Sequence, residues 1–251
     1  MKGRVVFVGA GPGAADLMTV RAVRVLERAD VVLHDDLVPA EIVELAPPNA
    51  LVLDVGKRCG QKGAAQQTIN ELMIDFAREG RAVVRLKSGD PALFGRLGEE
   101  MDALRAASVE FDVVPGVTAA LAAAAGTSIS LTDRRYASRV VFATASLARD
   151  TRQDWHALLA VGTTVVIYMP GRDYSRLASE LTAAGAAPDL PCAVVTRAGC
   201  ADETTAFATL STLHTIASAA PSLVIVGEVV RAKLRETALR EAVSILSAIC
   251  V

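Results

Sequence analysis

Within the first 114 residues, short apolar runs alternate with segments of helical spacing, and this alternation constrains the fold more than any other feature. Val5-Val6-Phe7-Val8 stops at Gly9-Ala10-Gly11-Pro12-Gly13, after which Leu17, Val20, Val23 and Leu26 recur at helical spacing. The order is strand, glycine turn, helix. It returns as strand Asp30–Leu33 with helix Ala40–Leu45, then strand Leu51–Asp54 with a loop from Gly56 to Ala65 and helix Gln66–Arg78. Strand Arg81–Leu86, helix Gly98–Ala107 and strand Glu110–Val114 follow. Repeated strand–helix–strand units cross over the sheet, so the pattern predicts a mainly parallel sheet of the α/β class.

The polar segment Thr127–Ser138 shows neither period and reads as a linker. Beyond it lie strands Arg139–Ala143 and Thr163–Met169, helix Tyr174–Ala184, and strands Cys192–Thr196, Thr204–Ala208 and Ser222–Val226. Two α/β domains with a cleft between them are predicted, over 1–126 and 139–233, joined by 127–138. A helical tail over 234–251 places Leu239, Val243, Leu246 and Cys250 on one face, for packing on its own domain or on a second copy.

In open α/β sheets, ligands bind beyond the carboxyl ends of the strands. Val83-Val84-Arg85-Leu86-Lys87 ends on Ser88-Gly89-Asp90-Pro91, where Gly89 admits close approach to the main chain and Asp90 supplies acceptors. The same residues also suit an ordinary turn into a helix. The glycine turn has two readings as well. Gly9-x-Gly11-x-x-Ala14 matches a relaxed dinucleotide fingerprint, with Asp35 or Asp36 where a ribose carboxylate would stand, which suggests an NAD-dependent oxidoreductase. Against it, Pro12 has no N–H to offer a pyrophosphate.

Composition narrows the classes further. A net charge of −2 gives no basis for general affinity to nucleic acid or membrane. The four cysteines, Cys59, Cys192, Cys200 and Cys250, show no CxxC pair, and His34, His156 and His214 are scattered, so no metal site is expected. No charged leader with a long apolar run precedes Val5, which predicts a cytoplasmic protein with reduced thiols.

One ordered set of motifs goes beyond these generalities. It comprises Gly9–Gly13, His34-Asp35-Asp36-Leu37-Val38, Asp54-Val55-Gly56-Lys57-Arg58, Leu86–Pro91, Phe94-Gly95-Arg96, Gly98-Glu99-Glu100, Val114–Ala119, Leu131-Thr132-x-Arg134 and Tyr168-Met169. Together these resemble the tetrapyrrole methylases from about Arg4 to Val230, most closely those acting on uroporphyrinogen III. The resemblance implies two α/β domains with the cofactor between them, and S-adenosylmethionine as methyl donor, released as S-adenosylhomocysteine. It also implies a small-molecule tetrapyrrole substrate and a homodimer. The implied reaction is methylation of uroporphyrinogen III at C2 and C7, giving precorrin-2 for sirohaem and cobalamin. A methyltransferase for a later precorrin is the alternative. With no fused dehydrogenase and ferrochelatase module in the chain, methyl transfer alone is expected.

Carried over by the resemblance, Pro12, Ser88, Gly89, Asp90, Leu93, Thr118, Ala119, Met169 and Ala198 fall on cofactor-contacting positions. Asp35 and Lys57 match a proton acceptor and donor, and Arg96, Glu99 and Arg134 match positions facing the tetrapyrrole. The chemistry is consistent with these types. A pyrrole carbon attacking a sulfonium methyl leaves positive charge on the macrocycle until a proton departs, which a carboxylate can offset or accept. Arginine forks suit a substrate with eight carboxylates, and Arg135 and Arg58 are further candidates. Taken singly, each has an ordinary structural role open to it: Asp35 and Thr118 as helix caps, Met169 as core, the arginines as solvated surface charges. Ser88, Leu97, Pro170 and Ala198 stand where the family commonly has glycine, and Thr127–Asp133 departs from its usual segment.

Overall fold

The computed structural model describes residues 3–56, 66–146, 153–217 and 219–249, with backbone alone for 241–249. The chain divides into two compact units, 1–119 with 199–201, and 120–198 with 202–251.

The first unit runs β1 (Arg4–Gly9), α1 (Val20–Leu26), β2 (Val31–His34), α2 (Ala40–Val43), β3 (Leu51–Asp54), α3 (Gln66–Arg78), β4 (Ala82–Lys87), α4 (Leu97–Ala106) and β5 (Phe111–Val114). Its five strands pair in the order β3-β2-β4-β1-β5, and every pairing is parallel. Strands covered on both faces must be apolar throughout, and the central β1, β2 and β4 are buried along almost their whole length. At one edge, β3 leaves Leu51 and Val52 each 38% exposed.

Alternation along the strands sorts the core into two layers. Val6, Val8, Val32, Val84 and Leu86 meet Ala22 and Leu26 of α1 and Ile42 of α2 on one face. Val5, Phe7, Val31, Leu33 and Val83 meet Ile69 and Met73 of α3 and Leu97 and Leu104 of α4 on the other. Of the expected stripe Leu17, Val20, Val23 and Leu26, Leu26 is fully buried and Val23 packs partly against the same layer, but the stripe as a whole is not the buried face. Val20 is 65% exposed, and Met18, Ala22 and Leu26, at a spacing of four, face the sheet. The helix also begins later than expected, where Thr19 Oγ1 accepts from Ala22 N at 3.1 Å, after a short 3-10 turn at Ala15–Leu17.

The second unit holds most of α5 (Ala119–Thr127), then β6 (Arg139–Thr144), α6 (Trp155–Leu158), β7 (Thr163–Tyr168), α7 (Tyr174–Ala183), β8 (Pro191–Thr196), β9 (Thr204–Thr209), β10 (Ser222–Val226) and α8 (Arg231–Ile249). Its sheet is mixed, in the order β6-β7-β10-β8-β9, with β6–β7 parallel and the other pairs antiparallel. The expected linker 127–138 lies within this unit. Ile129 and Leu131 are buried, and Asp133–Ala137 closes a tight turn through Ala137 N to Asp133 O at 2.7 Å. Helix α8 contacts β8 and β9, and Leu239 remains 68% exposed; the side chains of Val243 and Leu246 and all of Cys250 fall outside the described residues. No helix among the described residues is long and apolar enough to cross a membrane.

Candidate active site

The two central strands β1 and β4 send their chains to opposite faces of the first sheet, β1 toward α1 and β4 toward α4. Such a divergence opens a crevice beyond the carboxyl ends of the strands, the usual ligand position in an open α/β sheet. The loops at this edge are laced together by main-chain contacts. Gly89 N donates to Gly11 O at 2.7 Å, Gly11 N to Gly89 O at 3.2 Å, and Ala10 N to Lys87 O at 2.8 Å. Gly116, after β5, sits so close that a Cβ there would lie 2.2 Å from Gly89 O and 2.9 Å from the Gly9 Cα.

Asp90 completes the lacing. One carboxylate oxygen accepts from Ala92 N at 2.8 Å and the other from Gly116 N at 2.9 Å, joining the loops after β4 and β5. Gly89 itself has φ +67, and a Cβ there would meet only the Thr118 Cα at 4.0 Å. Its side-chain direction is therefore open, and a glycine-lined face with Thr118 behind it is available to a ligand. Pro12, Ser88, Gly89, Asp90, Thr118 and Ala119 are thus carried on interlocked loops of one edge, with Leu93 half-buried two residues past Pro91.

This lacing disposes of the dinucleotide reading. The N–H groups of Ala10, Gly11 and Ala14 already bond to Lys87 O, Gly89 O and Gly199 O. The turn also leads into a 3-10 segment rather than directly into a helix N-terminus, so it lacks the anion-binding geometry a pyrophosphate needs.

Asp35 follows β2 at the same edge. It does not cap α2, whose N-cap position is Pro39 without a side-chain bond. Its Oδ1 instead accepts from Arg85 Nη2 at 2.5 Å, and its Oδ2 lies 3.9 Å from Lys87 Nζ. Both cations project from β4 toward Glu100 of α4. Arg85 Nε reaches Glu100 Oε1 at 3.1 Å, and Lys87 Nζ reaches Glu100 Oε2 at 2.9 Å. Arg85, Lys87 and Glu100 have side chains no more than 3% exposed, while that of Asp35 is 30% exposed. Burial, and then the neighbouring Arg85 charge, push the Lys87 ammonium below its ordinary range, against the pull of Asp35 and Glu100.

Neither Arg85, Lys87 nor Glu100 was among the expected site residues. Their signal lies in the strand itself: Arg85 and Lys87 alternate onto one face of a central parallel strand, and a cation there has to meet a buried anion.

Arg96 and Glu99 are brought together as an exposed pair. Arg96 Nε and Nη2 fork onto the two Glu99 oxygens at 2.8 and 2.6 Å, which raises the arginine pKa. Phe94 and Arg96 both hold left-handed backbone, φ 54 and 56, a costly conformation for non-glycine residues that concentrates in functional loops. Lys57 and Arg58 lie outside the described residues.

The remaining expected residues belong to the second unit. Met169, after β7, is 46% exposed with φ 50, so it is not core. Ala198, after β8, is 7% exposed. Arg134 is exposed, whereas its neighbour Arg135 forks onto Asp133 at 2.9 and 2.7 Å and holds that carboxyl at about 2.

The chain is similar to known proteins over most of its length. The sequence pattern of the Tetrapyrrole (Corrin/Porphyrin) Methylases matches residues 4–214. Siroheme synthase 1 of Cronobacter sakazakii is 45% identical over 233 residues, covering 92% of this chain and 50% of that protein. The chain thus spans about half the length of the curated relatives it matches. The native uroporphyrin III C-methyl transferase of Thermus thermophilus superposes with a TM-score of 0.81 at 37% identity, covering 92% of this chain and all of that one. The same Thermus thermophilus enzyme complexed with S-adenyl homocysteine gives 0.80 at 36% identity, over 92% of this chain and 94% of that one. The chain belongs to the tetrapyrrole methylase family.

Proposed function

We propose that this protein is a uroporphyrinogen-III C-methyltransferase that uses S-adenosylmethionine to methylate C2 and then C7, giving precorrin-2. The single observation that carries the reading is the partly exposed Asp35 carboxylate, gripped by Arg85 beside the glycine-laced loops. The relative crystallised with S-adenyl homocysteine supports the choice of donor. The open face at Gly89 is where a ligand can approach the main chain without meeting a side chain.

S-adenosylmethionine supplies an electrophilic methyl group on a sulfonium. A pyrrole carbon forms the new C–C bond as the S–C bond breaks, and the macrocycle then carries a positive charge until it loses a proton. Asp35 offsets that charge and accepts the one proton the macrocycle loses, and Lys57, which matches the family's proton-donor position, anchors a substrate carboxylate or moves that proton onward. Pro12, Ser88, Gly89, Asp90, Leu93, Thr118, Ala119, Met169 and Ala198 hold the donor. Arg96, Glu99 and Arg134 bind the tetrapyrrole, whose carboxylates compete with Glu99 for the Arg96 fork. The enzyme works as a homodimer in the cytoplasm and feeds the sirohaem or cobalamin pathway.

The test is an anaerobic incubation with uroporphyrinogen III and S-adenosylmethionine carrying a 13C-labelled methyl group. Two added methyl groups, placed at C2 and C7 by NMR, are the expected result. Transfer to a later precorrin but not to uroporphyrinogen III would overturn the substrate assignment, and failure to bind the donor would overturn the reading altogether.

A further inference from the structure

The four-charge cluster at the sheet edge is built from three separate elements and balances two cations with two anions. Stability does not explain it. A buried ion network of this kind is commonly matched or bettered by apolar side chains of similar volume, because taking charges out of water costs several kcal/mol each. What the cluster does provide is geometry. Arg85 is engaged on all three of its nitrogens: Nε with Glu100 at 3.1 Å, Nη1 with the carbonyl oxygens of Leu33 and Leu86 at 3.2 and 3.4 Å, and Nη2 with Asp35 at 2.5 Å.

Glu100 anchors the other end. Its Oε1 accepts from Arg85 and from Gln66 Nε2 at 3.2 Å, and its Oε2 accepts from Lys87 at 2.9 Å. It stands in the first turn of α4, where a negative charge is favoured by the helix dipole. The guanidinium is a rigid planar fork, so fixing its Nε on Glu100 fixes where its Nη2 meets Asp35. Of the four groups, only Asp35 is appreciably exposed.

We propose that Glu100 is a positioning residue for methyl transfer: through Arg85 and Lys87 it holds the Asp35 carboxylate in the orientation that meets the substrate. This rests on the reading of Asp35 as the proton acceptor. Glu100 itself touches no reacting atom, and its influence passes through the two cations. Misplacing a catalytic group by about 1 Å costs on the order of 100-fold in rate, so the effect falls on kcat.

The experiment is a double-mutant cycle on the full chain, with donor affinity measured by titration with S-adenosylhomocysteine. Glu100→Gln is expected to lower kcat at least about 10-fold, with KM for uroporphyrinogen III and the Kd for S-adenosylhomocysteine within about twofold of wild type. In an Asp35→Asn background, the same change is expected to alter the rate less than about twofold, because the group it positions is already gone. Equal fold losses in both backgrounds, or an unchanged kcat, would overturn the proposal.

If Glu100→Gln does not fold, Arg85→Lys keeps the charge but cannot span Asp35 and Glu100, and it is expected to show the same kcat loss and the same cycle. A crystal structure of the folded variant separates the two readings. If wild-type protein transfers no methyl group, the proposed function fails, while displacement of the Asp35 carboxylate by about 1 Å or more still supports the positioning role. An unmoved Asp35 would refute it.

Discussion

Cys192 illustrates how completely environment rewrites a side chain. It is fully buried in the core of the second unit, and its Sγ donates to Leu190 O at 3.6 Å. Burial pushes the thiol up to about 12 from 9.0. A thiol whose folded pKa is raised keeps its proton where the unfolded chain loses it. Its contribution to stability is therefore complete below about pH 9 and is lost as pH rises toward 12. At pH 10 this linkage removes on the order of 1 kcal/mol. Urea unfolding at pH 7 and pH 10 checks it: Cys192→Ala is expected to lose less stability than wild type between the two pH values. Another buried position in the second unit gives a change of opposite sign. Thr164 Oγ1 on β7 is buried without a hydrogen-bond partner among the described residues. Thr164→Val removes an unmet polar group at nearly constant shape and is expected to raise stability by up to about 1 kcal/mol, seen as a higher melting temperature.

At the scale of elements, the site depends on how closely three loops approach. A Cβ on Gly116 would lie 2.2 Å from Gly89 O and 2.9 Å from Gly9 Cα, and both neighbours are main chain, which cannot swing aside. Gly116→Ala is expected to destabilise the fold by about 1–3 kcal/mol and to weaken S-adenosylhomocysteine binding at least about 10-fold. Thermal melting and isothermal titration measure the two effects. These loops were readable in the sequence because Gly, Pro and Asp have few other reasons to follow an apolar run, and the central strands were readable because both their faces are covered. Helix α5 was not. Ala119–Ala125 is nearly all alanine, so it shows no amphipathic contrast, and the helix's last residue, Thr127, reads from the sequence as the start of a polar segment. The mixed pairing of the second sheet was equally hidden, since strand direction depends on partners far along the chain.

Across the whole chain, long sequence separation also explains which site residues were legible. Asp35 and Arg85 are 50 positions apart, and neither one's spacing to its neighbours announces the other. The family resemblance pointed to Asp35 and to the glycine loops, and although its motifs contain Lys87 and Glu100 it gave no role to them or to Arg85, whose significance appears only when β2, β4 and α4 converge. The first unit accordingly holds a fixed frame: a parallel sheet, loops tied by Asp90 and the Gly11–Gly89 pair, and one partly exposed carboxylate held by buried cations. That frame predicts a division of labour in which binding of the methyl donor survives the loss of the carboxylate and transfer does not. The most direct measurement is a single-turnover reaction of Asp35→Ala, preloaded with methyl-labelled S-adenosylmethionine and mixed anaerobically with uroporphyrinogen III. The account predicts donor affinity within about twofold of wild type and transfer slowed at least about 100-fold. A wild-type transfer rate in Asp35→Ala would contradict it.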